Sequence, residues 1–262
     1  PGLAYADEPL QSCARCSWKV HWADREGRIS PWSEPASFVT GFLAPGDWKP
    51  RWIAARRVRE FRSKGTLLLG HQGEDDTQAC AVYLRKEFAV EGRVALAMIF
   101  VSGLGHYELR LNGDKIGTSV LDPGWTDYRK KALYASHDGT ALIRDRNAVG
   151  IILGNGRHTR AYGYEAPRLT CRIEIEYESG ERQILFSDES WKTSAGPLEE
   201  NGLYFGERYD ARILIDGWDR PGFDDGTWEK AATVAGYPLV SQMMPPVRVT
   251  DRLAPRSSER LA

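Results

Sequence analysis

His106-Tyr107-Glu108-Leu109-Arg110-Leu111-Asn112-Gly113 is the stretch that decides the fold class. Tyr107, Leu109 and Leu111 alternate with His106, Glu108 and Arg110. That period of two turns one face of a strand toward a core and the other toward water. Asn112-Gly113 then ends the run with a strong hairpin signal, because both residues enter positive φ at little cost. The same alternation recurs elsewhere. Trp18, Val20 and Trp22 interleave with Lys19 and His21, and Cys171, Ile173, Ile175 and Tyr177 interleave with Arg172, Glu174 and Glu176 before a Ser179-Gly180 turn. No stretch keeps a helical period for more than about two turns. The best helical candidate, Arg56 to Lys64, carries five basic residues and little apolar face, and reads as a solvated loop or short helix. The 26 glycines and 14 prolines are spread as punctuation between short strands. The chain is therefore expected to be all-β, a sandwich or jelly roll.

The composition excludes several classes. Thirty-five Lys and Arg against 36 Asp and Glu leave a net charge of -1, which argues against nucleic-acid or anionic-membrane partners. Hydrophobic residues at 42% and charged residues at 27% fit a folded globular chain of 262 residues with a sizeable core. The longest apolar run, Val94 to Val101, is far short of the ~20 residues of a membrane-spanning helix. Pro1-Gly2-Leu3 opens without a signal-peptide pattern and without methionine, so the chain reads as a piece of a longer one and its compartment stays open. Cys13 and Cys16 have C-x-x-C spacing but no second pair for zinc. With Cys80 and Cys171 isolated, all four read as ordinary strand or turn cysteines.

Several segments, taken in order, resemble the N-terminal region of bacterial α-L-rhamnosidases, glycoside hydrolase family 78. Trp18-Lys19-Val20, Gly27, Ser30, Trp32-Ser33, Phe38, Thr40-Gly41, Asp47-Trp48 and Trp52-Ile53 are similar to the closing strands of the fibronectin type III-like domain that opens those enzymes. Tyr83 to Phe88, Gly105, Tyr107 to Leu109, Leu111 to Gly113, Pro123 to Tyr128 and Leu153 to Gly156 follow. Gly206-Glu207, Tyr209 to Arg212, Gly217 to Asp219, Phe223 to Asp225 and Trp228 complete the pattern of the family's N-terminal jelly roll. The resemblance implies three parts: a partial fibronectin type III-like β-sandwich over 1–45, a jelly-roll β-sandwich over 46–241, and over 242–262 a linker or the start of a further β-domain. In the family, hydrolysis belongs to carboxylic acids of an (α/α)6 barrel, and no helical repeat exists here. An inverting pair must stand about 6.5–9.5 Å apart across the sugar with one pKa raised. No such pair can be assigned, so the chain alone is expected to be inactive. Nor is there a G-x-S-x-G or H-E-x-x-H motif, and the five histidines are scattered.

The candidate carbohydrate-binding residues are Trp125, Asp127, Tyr128, Asn155, His158, Tyr162, Tyr164 and Glu207. Trp125 to Tyr128 sets an aromatic face beside a carboxylate, the composition a pyranose site uses. The competing reading packs Trp125 and Tyr128 in the core with Asp127 capping a turn, and nine tryptophans in one β chain weigh toward it. Asn155-Gly156 and His158 follow the apolar run Val149 to Leu153, with Tyr162 and Tyr164 behind them, as either a ligand loop or a plain turn. If extended, 207–212 places Glu207 and Tyr209 on one side and Asp210 and Arg212 on the other, more suited to bracing a neighbouring domain than to chemistry. Some relatives bind rhamnose through calcium, as in carbohydrate-binding module family 67, with ligands just before the Tyr-Glu-Leu strand. Here that loop reads Ser102-Gly103-Leu104-Gly105 and offers no carboxylate or amide, so no cofactor is expected. Glu74-Asp75-Asp76 reads as a solvated loop. The resemblance implies two alternative roles: ancillary recognition of a rhamnosylated glycan or glycoside, or structural bracing of other domains of the same enzyme.

Overall fold

The computed structural model describes residues 8–63, 76–158, 163–203 and 206–257. It is 43% strand and 4% helix, and no helix among the described residues is long and apolar enough to cross a membrane. The chain forms two compact units, residues 1–49 and 50–262. In the first, β1 (Arg15–Trp18) and β2 (Ala36–Val39) pair antiparallel, with Cys16 opposite Phe38. Thr40 ties them to the chain before β1: its hydroxyl donates to the Gln11 carbonyl at 2.6 Å and accepts from the Ala14 amide at 2.9 Å. The alternation read over residues 18–22 ends as strand at Trp18. Trp18, Val20 and Trp22 remain exposed, because a two-stranded ribbon supplies no second layer to cover them.

The second unit is a β-sandwich. In chain order its strands are β3 (Trp52–Ala54), β4 (Glu60–Ser63), β5 (Asp76–Ala79), β6 (Val82–Ala89), β7 (Val94–Leu104), β8 (Tyr107–Leu111) and β9 (Asp114–Lys115). There follow β10 (Ala132–Asp138), β11 (Arg146–Leu153), β12 (Arg168–Tyr177), β13 (Arg182–Phe186), β14 (Lys192–Ala195), β15 (Leu198–Gly202) and β16 (Gly206–Tyr209). The last three are β17 (Glu229–Lys230), β18 (Ala232–Val234) and β19 (Leu239–Ser241). One sheet runs β18-β3-β12-β7-β10-β19 with β13 beside β12; the other runs β17-β14-β6-β11-β8-β9. Their inner faces meet in one core: Ile99, Val101, Leu169, Cys171, Ile173 and Ile175 from the first, and Leu84, Leu109, Leu111, Val149, Ile151 and Leu153 from the second. The Asn112-Gly113 hairpin joins β8 to β9 with φ of 55° and 93°, and Ser179-Gly180 turns β12 into β13. All four cysteines are free.

Two local expectations are corrected. The basic run at 56–64 is neither helix nor wholly loop, since Glu60–Ser63 pairs with Asp76–Ala79 as β4 and β5; Lys64, Glu74 and Asp75 lie outside the described residues. Ser102, Gly103 and Leu104 are not loop but the buried end of β7, paired with β12 through Leu104 opposite Arg168. Beyond β19 the chain runs back along residues 119–124: Ser119 bridges Arg248, and the Val120 amide donates to the Val247 carbonyl at 2.9 Å.

The outer face of the β6-containing sheet is covered by residues 217–228, and Arg85 is the reason. Its side chain is 0% exposed. It donates to the Trp218 carbonyl at 2.8 Å and the Arg220 carbonyl at 3.1 Å, pairs with Glu87 and Asp225, and lies 5.3 Å from the Phe223 ring. Trp218 settles beside Tyr83, over Gly150, where a Cβ would come within 2.8 Å of the indole. Arg110 completes the clamp through Asp219 and Glu108. Removing one partner of a buried pair leaves the others uncompensated. Arg85→Met is therefore expected to cost about 3 kcal/mol, at the low end for such pairs because both carboxylates keep some contact with water. Urea unfolding should show a lowered midpoint at unchanged m-value; a loss under ~1 kcal/mol would remove Arg85 from this role.

Candidate functional site

One end of the sandwich gathers most of the residues singled out in the sequence. The loop after β9, the end of β11 and the segment leading into β12 converge there. Trp125 is 54% exposed, and the Arg157 guanidinium stands 4.4 Å from its ring centroid. The core reading thus fails for Trp125: its loop has no strand period to turn it inward, and a cation holds it in water. Asp127 does close a turn. It accepts from the Arg129 amide at 3.2 Å and side chain at 3.1 Å, and this arginine holds its carboxyl below the usual range.

Tyr128 goes the other way. It is buried against His158, Tyr164 and Tyr237, as the core reading expects, so it does not offer its face to a sugar. Burial pushes its phenol up to about 12, and the hydroxyl has no hydrogen-bond partner among the described residues. His158 is buried too, stacked on Tyr164 at 5.0 Å and 16°. Neither ring nitrogen completes a hydrogen bond with a described group, although the Glu165 carbonyl is near enough to act on the ring electrostatically. Asn155 is taken up wholly in structure. Its amide N–H donates to Asn201 at 2.7 Å, and its side-chain NH2 donates to the Ala79 carbonyl at 2.5 Å and to Asn201 at 2.9 Å. Asn155 and His158 are therefore corrected from ligand to framework, because each is enclosed where β11 leaves the sheet.

The remaining candidates divide. Tyr164 is half-buried at the margin of the aromatic cluster, and Tyr162 lies outside the described residues. Glu207 is exposed on β16 and acts on Tyr83, at the outer face of the β6-containing sheet, so it does not belong with Trp125. The chain after β16 does not stay extended as read: Asp210 caps a short 3-10 turn at Ala211–Ile213, accepting from the Arg212 amide at 3.0 Å, and its pKa falls to about 2 beside the Arg212 side chain. Sequence reasoning passed over Arg157, Arg168, Asn201 and Tyr237. Arg157 follows the quoted Gly156 directly and could have been found; Tyr237 belongs to no pattern, and only folding brings it to Tyr128. Among the described residues, no three His, Cys, Asp or Glu side chains stand together as metal ligands. The arrangement can stack and hydrogen-bond a ligand at its surface, and its interior is a packed aromatic cluster.

Burial depresses His158 from 6.5 to about 4. The unfolded chain therefore binds the extra proton between those values, and the folded state loses stability as pH falls through that window. His158 should cost about 2 kcal/mol of stability between pH 7 and pH 5. His158→Phe is expected to flatten that part of the urea-stability profile. Parallel profiles for the two proteins would show that the ring is not held neutral by the fold.

The fold and these motifs have counterparts in known proteins. Residues 92–251 match the family model of the α-L-rhamnosidase N-terminal domain, and residues 2–44 match a Rha78A-like N-terminal immunoglobulin domain. An α-L-rhamnosidase of Formosa agariphila is 34% identical over 252 residues, 89% of this chain and 26% of that protein. Among solved structures, an α-L-rhamnosidase from Dictyoglumus thermophilum superposes with a TM-score of 0.87 at 41% identity, over 94% of this chain and 28% of that one. The α-L-rhamnosidase of Aspergillus terreus gives 0.79 at 28% identity, over 92% and 28%. The chain thus spans about a quarter of the length of the relatives it matches. An immunoglobulin-type unit followed by a two-sheet sandwich, carrying the family's motifs in order, belongs to the α-L-rhamnosidases of glycoside hydrolase family 78, as their N-terminal region.

Proposed function

We propose that this chain is a non-catalytic forepart of an enzyme that hydrolyses terminal α-L-rhamnosyl linkages, and that it helps recognise the rhamnosylated glycan. The observation that carries this reading is Trp125, half in water with Arg157 over its ring. A braced, exposed indole offers a sugar's C–H face a flat apolar partner. Asp24, Glu87, Asp127 and Asp210 are each held below the ordinary carboxyl pKa by a neighbouring arginine, the opposite of the displacement a glycosidase general acid needs. We propose that sugar contact at Trp125 needs no calcium.

A second reading, bracing of the enzyme's other domains, is favoured by a different observation. Leu121, Met244, Val247 and Val249 are exposed where the chain after β19 runs along residues 119–124, an apolar row suited to contact with protein. Rhamnose titrated into the protein, with and without calcium, should change tryptophan fluorescence at millimolar concentration, equally in both arms. Trp125→Ala should abolish that change while leaving the thermal midpoint within a degree or two, since the ring contributes little to the core. Silence up to tens of millimolar would sink sugar recognition and leave bracing. An aryl rhamnoside should not be turned over; measurable hydrolysis by the purified chain would overturn the non-catalytic assignment.

A further inference from the structure

His158 is enclosed in an aromatic box that makes no provision for a positive charge. Its ring is 0% exposed, stacks on Tyr164 at 5.0 Å, and meets Tyr128 at 5.5 Å and Tyr237 at 6.1 Å edge to face. Among the described residues, neither ring nitrogen has a hydrogen-bond partner. Two charged groups act on it. Arg168 repels a protonated ring, and Glu165, which would favour one, is already paired with that arginine and is 81% exposed. A proton placed on this imidazole is therefore both desolvated and repelled. The other end of the same turn is fixed. Asn155 is tied to Asn201 and to the Ala79 carbonyl. Gly156 packs so closely that a Cβ there would come within 2.9 Å of Gly105 and 3.0 Å of the His106 ring. The His158 amide donates to the Asn155 carbonyl at 2.9 Å, closing a turn with Arg157 between its two ends. That arginine is the one standing 4.4 Å from the Trp125 ring centroid.

We propose that residues 155–158 form an acid-sensitive latch: protonation drives His158 out of its aromatic box, and the movement carries Arg157 off the face of Trp125. The direction follows from linkage. Burial lowers the enclosed imidazole from 6.5 to about 4, so as pH falls through that window the open latch takes up a proton that the closed one refuses. His106 is also lowered by burial, with the Asp122 carboxylate favouring its charge and Arg157 opposing it. It packs on Gly156 at the pinned end of the turn, so its titration is expected to leave Arg157 in place. The latch itself stands on the box and the turn; that acid also weakens sugar contact rests on the reading of Trp125 as the recognition surface.

Two-dimensional NMR of isotope-labelled protein reads the latch. Between pH ~7 and ~4 the Trp125 indole N–H and the Arg157 amide signals should shift in step with the His158 ring, while the amides of Ile99 and Ile151 in the core keep their positions. In His158→Phe, whose ring fills the box without titrating, the Trp125 and Arg157 signals should hold still over the same range. The rhamnose response should be lost over that range in the parent protein and persist in the variant. Any of four results overturns the latch: the His158 ring titrates while Trp125 and Arg157 stay unchanged, the two signals follow the His106 ring instead, they move equally in His158→Phe, or they move only when the core amides are lost. The first, second and fourth are read in the parent protein and do not depend on the variant folding. A latch that opens in a protein silent to rhamnose at every pH would sink sugar recognition and leave the latch standing.

Discussion

Leu84 and Arg85 sit side by side on β6, both fully buried, on opposite faces of the same sheet. The rest of the second unit depends on that pair keeping its orientation. A slip of one residue would put a guanidinium between the sheets and a leucine under the carbonyls of Trp218 and Arg220. The first error alone costs several kcal/mol, because an unpaired charge would enter an apolar core. β6 is also central in its sheet, paired with β11 along its full length and with β14 at Val82 to Arg85. Its register therefore sets where β11 ends, and with it where Asn155 leaves the sheet.

Asn155 turns that strand end into a fixed point. With Asn201 it joins the exit of β11, the β15–β16 ribbon and the carbonyl of Ala79 through hydrogen bonds closed off from water. Buried amides satisfied this fully confer rigidity. Two residues on, Arg157 is thereby delivered to Trp125, and His158 to the aromatic cluster. A buried knot thus holds in place the surface residues to which sugar recognition is proposed.

Carboxylates in this chain serve turns and clamps. Asp24 with Arg28, Asp127 with Arg129 and Asp210 with Arg212 each close a local turn with an arginine two to four residues on. These exposed pairs contribute little stability, yet each keeps its carboxylate ionised and engaged. Arg85 and Arg110 do the same at larger scale, drawing the 217–228 segment onto a sheet that would otherwise present Tyr83 and Ile152 to water. The arginines beside Asp24, Glu87, Asp127 and Asp210 hold those four carboxyls below their ordinary range.

The amino-acid sequence alone determined the all-β class, the inward faces of β8 and β12, the Asn112-Gly113 hairpin, and the family resemblance carried by ordered motifs. Each is local: alternation and turn chemistry depend on a few neighbours in the chain. Only the tertiary structure decided that Trp125 faces water while Tyr128, three residues on, is enclosed, and that Asn155 and His158 are framework. A period of two tells which residues share a face, but it says nothing about whether a distant segment will cover that face. The loops holding Trp125 and His158 have no period at all. Their exposure was settled when Tyr237, Asn201 and Arg157 arrived from elsewhere in the chain, a matter of packing between segments that no local pattern records.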